Sequence, residues 1–278
     1  MEQQILTLLG ETQLPAEGPR QHAERQLEQL YTNEAFPISL ASIASENSVP
    51  LNLRQSALLI LKTFVLKGWS PTLDEFGGQV LINDANKQHL RKQLLEIATG
   101  GLNDRKIKGA ASFVISKIAS VDFPDAWPDL LPTLVDLVPR VDNDRLHGVL
   151  TVLGDLVDDG FNEDQFFQSA RSLVKCLYDV AVDGGRKLTL RALAVSVFRG
   201  CYDTLEMVAE VHQADVKGFM SEALTAWSPI FIEVLRLPLP PTPSQDDEES
   251  AGEVFETWRG FIALKIQVVR VSASLWPL

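Results

Sequence analysis

Four histidines, two cysteines, three glycine pairs and two acidic clusters are the residues here whose types could do chemistry. His22, His89, His147 and His212 lie far apart and have no cysteine or carboxylate at metal-ligand spacing, so no zinc site is expected. The pairs Gly77-Gly78, Gly100-Gly101 and Gly184-Gly185 belong to neither G-x-x-x-x-G-K-[ST] nor G-x-G-x-x-G. A phosphate loop is therefore not expected, and Gly184-Gly185-Arg186-Lys187 reads as a turn between helices. Asp155, Asp158 and Asp159, in GDLVDDG, lack the alternating oxygen ligands and closing glutamate of a calcium loop. They stand at a helix C-terminus, where the dipole disfavours acids, which hints at a basic partner beside the plainer reading of solvated acids. Gln245 to Glu256 gathers Asp246, Asp247, Glu248, Glu249, Glu253 and Glu256 without one basic residue. It is either a solvated linker or a docking element for something basic. Cys176 and Cys201 each sit inside an apolar helical run, which excludes a disulfide framework and points to core packing in a reduced compartment. No nucleophile, base and orienting acid can be assembled, so binding, without cofactor or metal, is the expected kind of function and catalysis is not.

The elements that carry these residues are helices. Leu53 to Trp69, LRQSALLILKTFVLKGW, places Leu53, Ala57, Ile60, Leu61 and Phe64 on one wide face, with the basic Arg54 just inside its start. The register recurs with Lys108, His147, Arg191 and Lys265 in the place of Arg54, at intervals of 54, 39, 44 and 74 residues. The two middle intervals match two-helix HEAT or armadillo units of roughly 40 to 47 residues. The long ones need insertions, supplied by the turn-rich Pro71 to Asn86 and by an acidic inter-helix loop at 238–253. The expected architecture is all-α, a right-handed α-α superhelix (HEAT-repeat solenoid) of about five and a half antiparallel pairs over 1–278. Helices are expected from Pro15, at 37–46, at 87–100, up to Ser120, with Asp144 capping the fourth pair, and from Glu253 to Trp276. The last is apolar and lacks the polar capping repeat of a solenoid end, so a piece of a longer protein is expected. Between them FPDAWPDLLP, at 123–132, sets a corner at Phe123 and Trp127.

A formal net charge of −12 argues against nucleic-acid binding through phosphates and favours basic partners. The N-terminus has no basic stretch of a signal peptide, and no run of about 20 apolar residues is free of charge.

Three segments together resemble the N-terminal region of the importin-beta, or karyopherin-beta, family of nuclear transport receptors. They are AERQLEQL at 23–30, the stretch at 36–69 ending in RQSALLILKTFVLKGW, and VDFPDAWPDLLPTL at 121–134. The family region falls within about 15–100, and DFPDAWPDLL followed by LHGVLTVLGDL looks most like the importin nine subgroup. The resemblance implies binding of Ran-GTP on inner helices, phenylalanine-glycine nucleoporins in grooves between outer helices, and basic nuclear cargo, possible histones among it. It also implies shuttling between cytoplasm and nucleus through the nuclear pore. Taking 37–46, 87–100, 127–139 and 163–180 as inner helices, polar residues off the apolar stripes are the candidate Ran contacts: Glu46, Lys92, Gln93, Glu96, Asp129, Asp136 and Asp164. Asp246, Asp247, Glu248 and Glu249 are the candidate acidic loop for basic cargo, and Phe113 and Phe64 are candidate nucleoporin contacts unless they are core. A generic HEAT scaffold unconnected to Ran would share the architecture.

Overall fold

A computed structural model describes residues 1–161, 163–208, 213–242 and 248–274. These divide into two compact units, Met1–Trp127 and Pro128–Leu278. In the first, α1 (Glu2–Glu11) pairs with α2 (Glu17–Gln29), α3 (Phe36–Ser45) with α4 (Leu51–Gly68), and α5 (Asp84–Thr99) with α6 (Arg105–Asp122). In the second, α7 (Leu130–Leu137) pairs with α8 (Asn143–Asp155), α9 (Glu163–Val182) with α10 (Leu188–Val208), and α11 (Gln213–Arg236) with α12 (Glu248–Ser274). A π-helical turn, Leu156–Gly160, continues α8. No strand occurs among the described residues.

α1 has no counterpart in the sequence expectation, although Ile5, Leu8 and Leu9 form its buried stripe. Its presence shifts every pairing by one helix: α4 is the second member of a pair with α3, not the partner of α5. Pro50 leads α4, where its missing N–H costs nothing. Asn83 and Asp104 accept from backbone N–H groups at the starts of α5 and α6. The α8 cap is Asp142, accepting from Arg145 N at 2.9 Å, and Asp144 lies inside the first turn. α12 begins at Glu248, five residues before the expected Glu253 and within the stretch read as loop; Trp276 lies outside the described residues.

In three pairs the recurring basic residue proves to be a clasp. Arg54 Nε donates to Ala44 O at 2.8 Å, Arg191 Nε donates to Ala181 O at 2.7 Å, and Lys265 Nζ donates to Leu235 O and Leu237 O at 3.1 Å. Each cation on a second helix reaches the C-terminal carbonyls of the first, which have no partners within their own helix and carry the negative end of its dipole. Arg54 also donates to Asn103 Oδ1 at 2.6 Å, and Asn103 in turn donates to Ile97 O at 2.9 Å, so one guanidinium serves the ends of both α3 and α5.

Within each unit the two rows of helices pack unequally. α4 lies along α6, and α8, α10 and α12 lie against one another, over more of their length than α3 does with α5 or α7, α9 and α11 do among themselves. In a stack of hairpins the closer row is the inside of the bend. The second helices are thus the more closely packed row and read as the inner one, with 37–46, 87–100, 127–139 and 163–180 in the other. The difference from the sequence reading comes from the overlooked α1.

Candidate functional site

Trp69, Asp122 and Trp127, from the segments that carry the family resemblance, meet Arg91 in a buried latch. Asp122, at the end of α6, accepts through Oδ2 from Trp69 Nε1 at 2.8 Å and from Arg91 Nε and Nη2 at 3.1 and 2.6 Å. Arg91 Nη1 donates to Ala126 O at 2.8 Å, and its guanidinium lies 5.6 Å from the rings of both Trp69 and Trp127. Both charges are buried, so the conspicuous motif residues are spent on joining α4, α5, α6 and the corner after it.

The candidate Ran contacts fall on the outer row. Glu46, Lys92, Glu96, Asp129 and Asp136 are exposed and Gln93 is half-buried. Glu46 ends α3, where its carboxylate accepts from Ser48 N at 3.0 Å and is held below its usual pKa by that bond. Gln93 Nε2 donates to Ser42 Oγ at 3.3 Å, and Asp136 sits 3.6 Å from Arg140 in the turn after its helix. The Asp164 side chain lies outside the described residues, as do Asp246, Asp247 and the side chains of Glu248 and Glu249. Phe64 is fully buried, against Tyr31 and Phe36, and is core. Phe113 is partly open on the inner row, not on an outer groove.

Two inner-row surfaces stand out. In the first unit Leu59 of α4 is 60% exposed and borders a groove of about 410 Å³ against α2, with Tyr31, Glu24 and Glu28 on the other wall. Burial and Glu28 push the Tyr31 phenol up to about 12. In the second unit a groove of about 970 Å³ runs between α8, the π-helical turn and α10. Asp155, Asp158 and Asp203 line it beside Arg199, with Leu150, Val197 and Met207 as apolar wall. Burial raises the carboxyl pKa of both Asp158 and Asp203, against the pull of Arg199. The acids read as a cluster at a helix end are therefore joined by Asp203 of α10, which sequence spacing could not bring to them.

On the outer row of the second unit, α9 and α11 enclose an apolar groove of about 410 Å³ lined by Val174, Tyr178, Phe219, Ala223 and Trp227. Arg171 closes one end, 4.8 Å over the Phe219 ring and 2.7 Å from Glu222. Both cysteines are buried and free, and burial pushes the Cys176 thiol up to about 12 and that of Cys201 higher still. Among the described residues no group of histidine, cysteine and carboxylate side chains could hold a metal ion, and no helix is long and apolar enough to cross a membrane.

Residues 23–99 match the importin-beta N-terminal domain. Importin subunit beta-5 of Schizosaccharomyces pombe is 32% identical over 83% of this chain and 23% of its own length. Importin-9 of Drosophila melanogaster is 28% identical over 50% of the chain and 14% of its own. Two solved structures of Kap95 share the fold, each at 15% identity and a TM-score of 0.68. One is the Kap95:Nup1 complex, matched over 99% of this chain and 30% of that one. The other concerns Kap95p binding that induces the switch loops of RanGDP to adopt the GTP-bound conformation, over 96% and 28%. The fold is thus that of HEAT-repeat solenoids, and the chain spans about a quarter of the length of the relatives it matches. The relatives are nuclear transport receptors and no enzyme family is indicated. By its N-terminal domain, its relatives and its fold, the chain is similar to the importin-beta family.

Proposed function

We propose that the chain is a segment of a nuclear transport receptor that binds the GTP form of Ran on its inner row and carries basic cargo, core histones included, through nuclear pores between cytoplasm and nucleus. The importin-beta N-terminal domain at 23–99 carries this reading. The inner row of α4 and α6 is the face offered to the GTPase, in place of the outer-row residues. The apolar α9–α11 groove has the size and aromatic lining suited to a phenylalanine side chain of a nucleoporin. Asp155, Asp158 and Asp203 give basic cargo a groove of matching charge.

Titration of the chain with Ran-GTP and Ran-GDP at two salt concentrations tests the reading. Binding of the GTP form at micromolar concentration, with weaker binding of the GDP form, is expected. Equal affinity for both, or none at that concentration, would favour a scaffold unconnected to Ran.

A further inference from the structure

The connection from α11 to α12 opens on Leu237-Pro238-Leu239-Pro240-Pro241-Thr242, with Pro243 next in sequence. Its backbone has little choice. Pro238, Pro240 and Pro241 each fix their own φ at about −65°, and Leu237, Leu239, Pro240 and Thr242 each precede a proline, which drives them out of the helical region. The run is thereby steered into an extended, polyproline-II course, and the structure gives 237–242 neither helix nor strand. Exposure along it follows the three-residue turn of that conformation. Leu237 and Pro240 are half-buried, whereas Pro238, Leu239, Pro241 and Thr242 are exposed, Leu239 at 73%. One edge of a three-sided rod therefore rests on the protein and two stand clear of it, one carrying Pro238 and Pro241, the other Leu239 and Thr242. Two side chains of α12 hold the rod at its ends: Lys265 Nζ donates to Leu237 O at 3.1 Å, and Trp258 Nε1 donates to Pro241 O at 2.9 Å.

We propose that 237–242 is a docking ligand for a partner domain that reads polyproline II in an aromatic-lined groove. Such grooves take proline edges that recur at P-x-x-P spacing, the spacing of Pro238 and Pro241, and Leu239 on the neighbouring edge supplies an apolar contact between them. A connector between two helices needs only the stiffness of the prolines; it does not need two of its three edges held away from the protein. The half-buried Leu237 and Pro240 and the bonds from Lys265 and Trp258 fix the rod in place before any partner arrives, so little ordering entropy is lost on binding. None of these residues belongs to the α9–α11 groove or to α4 and α6, so the assignment does not rest on the nucleoporin or the Ran reading.

Calorimetric titration of the chain with a panel of purified SH3 and WW domains, alongside a free peptide of residues 236–243, tests the assignment with no GTPase present. At least one domain is expected to bind, and to bind the chain more tightly than the free peptide, because the chain presents the rod already ordered. Pro238→Ala combined with Pro241→Ala should weaken binding about tenfold or more, and Leu239→Ser severalfold. Trp258→Phe keeps an aromatic ring and removes the donor to Pro241 O, and should bring the affinity of the chain toward that of the free peptide. Circular dichroism melts establish that each variant is folded. No binding by any domain of the panel, undiminished binding of the folded double proline variant, tighter binding of the free peptide than of the chain, or displacement of the bound domain by a phenylalanine-glycine peptide would each overturn the proposal.

Discussion

Replacing Asp122 by alanine should unfold the first unit's core more readily than any single aliphatic truncation on its surface. The carboxylate receives three hydrogen bonds, one from Trp69 and two from Arg91, and the ion pair has only 10% and 9% of its side-chain surface exposed. Removing one partner of such a pair leaves the other charge buried without compensation, at a cost of about 3–5 kcal/mol. Arg91 keeps Ala126 O and the two tryptophan faces, which places the expected loss nearer 3 than 5 kcal/mol. Asp122→Asn retains an acceptor for Trp69 Nε1 and loses the charge, so about 2 kcal/mol is expected. The diagnostic measurement is a double-mutant cycle of Asp122→Ala with Arg91→Met, read by urea unfolding with tryptophan fluorescence and circular dichroism in parallel. The double variant removes both charges together and should recover part of the loss, giving a coupling of about 2 kcal/mol. Additive effects, or a cost of Asp122→Ala below about 1 kcal/mol, would refute the view that these motif residues are a buried latch.

Arg54→Ala should cost about 1.5–3 kcal/mol in chemical denaturation, because it uncaps the end of α3 and releases Asn103 together. Gly260 lies so close to α10 that an added Cβ would be 2.8 Å from Leu188 Cβ and 2.9 Å from Thr189 N. Gly260→Ala should therefore destabilise by about 1–3 kcal/mol in thermal melts, whereas Gly109→Ala, with open space around it, should stabilise by up to about 1 kcal/mol. Phe219→Ala should weaken a phenylalanine-glycine peptide in the α9–α11 groove at least severalfold by calorimetry while leaving Ran-GTP binding intact. The α8–α10 groove needs ionised carboxylates to hold a basic peptide. Burial raises Asp158 and Asp203, so affinity for a lysine-rich peptide should fall on acidification at a pH above the ordinary aspartate range near 3.8. In Asp158→Asn that part of the pH dependence should shrink to the share of Asp203.

Periodicity alone was enough for the all-helical fold and for the places of α4, α6, α8 and α10, because each buries a wide apolar face that repeats every three to four residues. It missed α1, whose three buried residues in ten are a weak signal beside the long helices. That omission put each helix in the other row, since rows alternate and one lost helix exchanges them all. The basic residue marking each repeat was visible as a position, but its role was not, because the carbonyl it reaches belongs to another helix. The α8–α10 groove shows the same limit: GDLVDDG announced two of its acids, Asp155 and Asp158, while Asp203 and Arg199 enter only through packing. Resemblance supplied the family and the partners, which no spacing of apolar residues contains.

The clasps of the α3–α4, α9–α10 and α11–α12 pairs also bear on mechanics. A hairpin whose second helix grips the carbonyl end of its first resists shear as one beam, so elastic compliance within a unit resides between hairpins. Where the inner row touches closely and the outer row sparsely, small rotations pivot about the inner contacts and are magnified as changes of gap on the outside. The α9–α11 groove lies in such a gap, and a side chain wedged there acts at the long arm of the lever, where the least force changes the curvature of that unit the most.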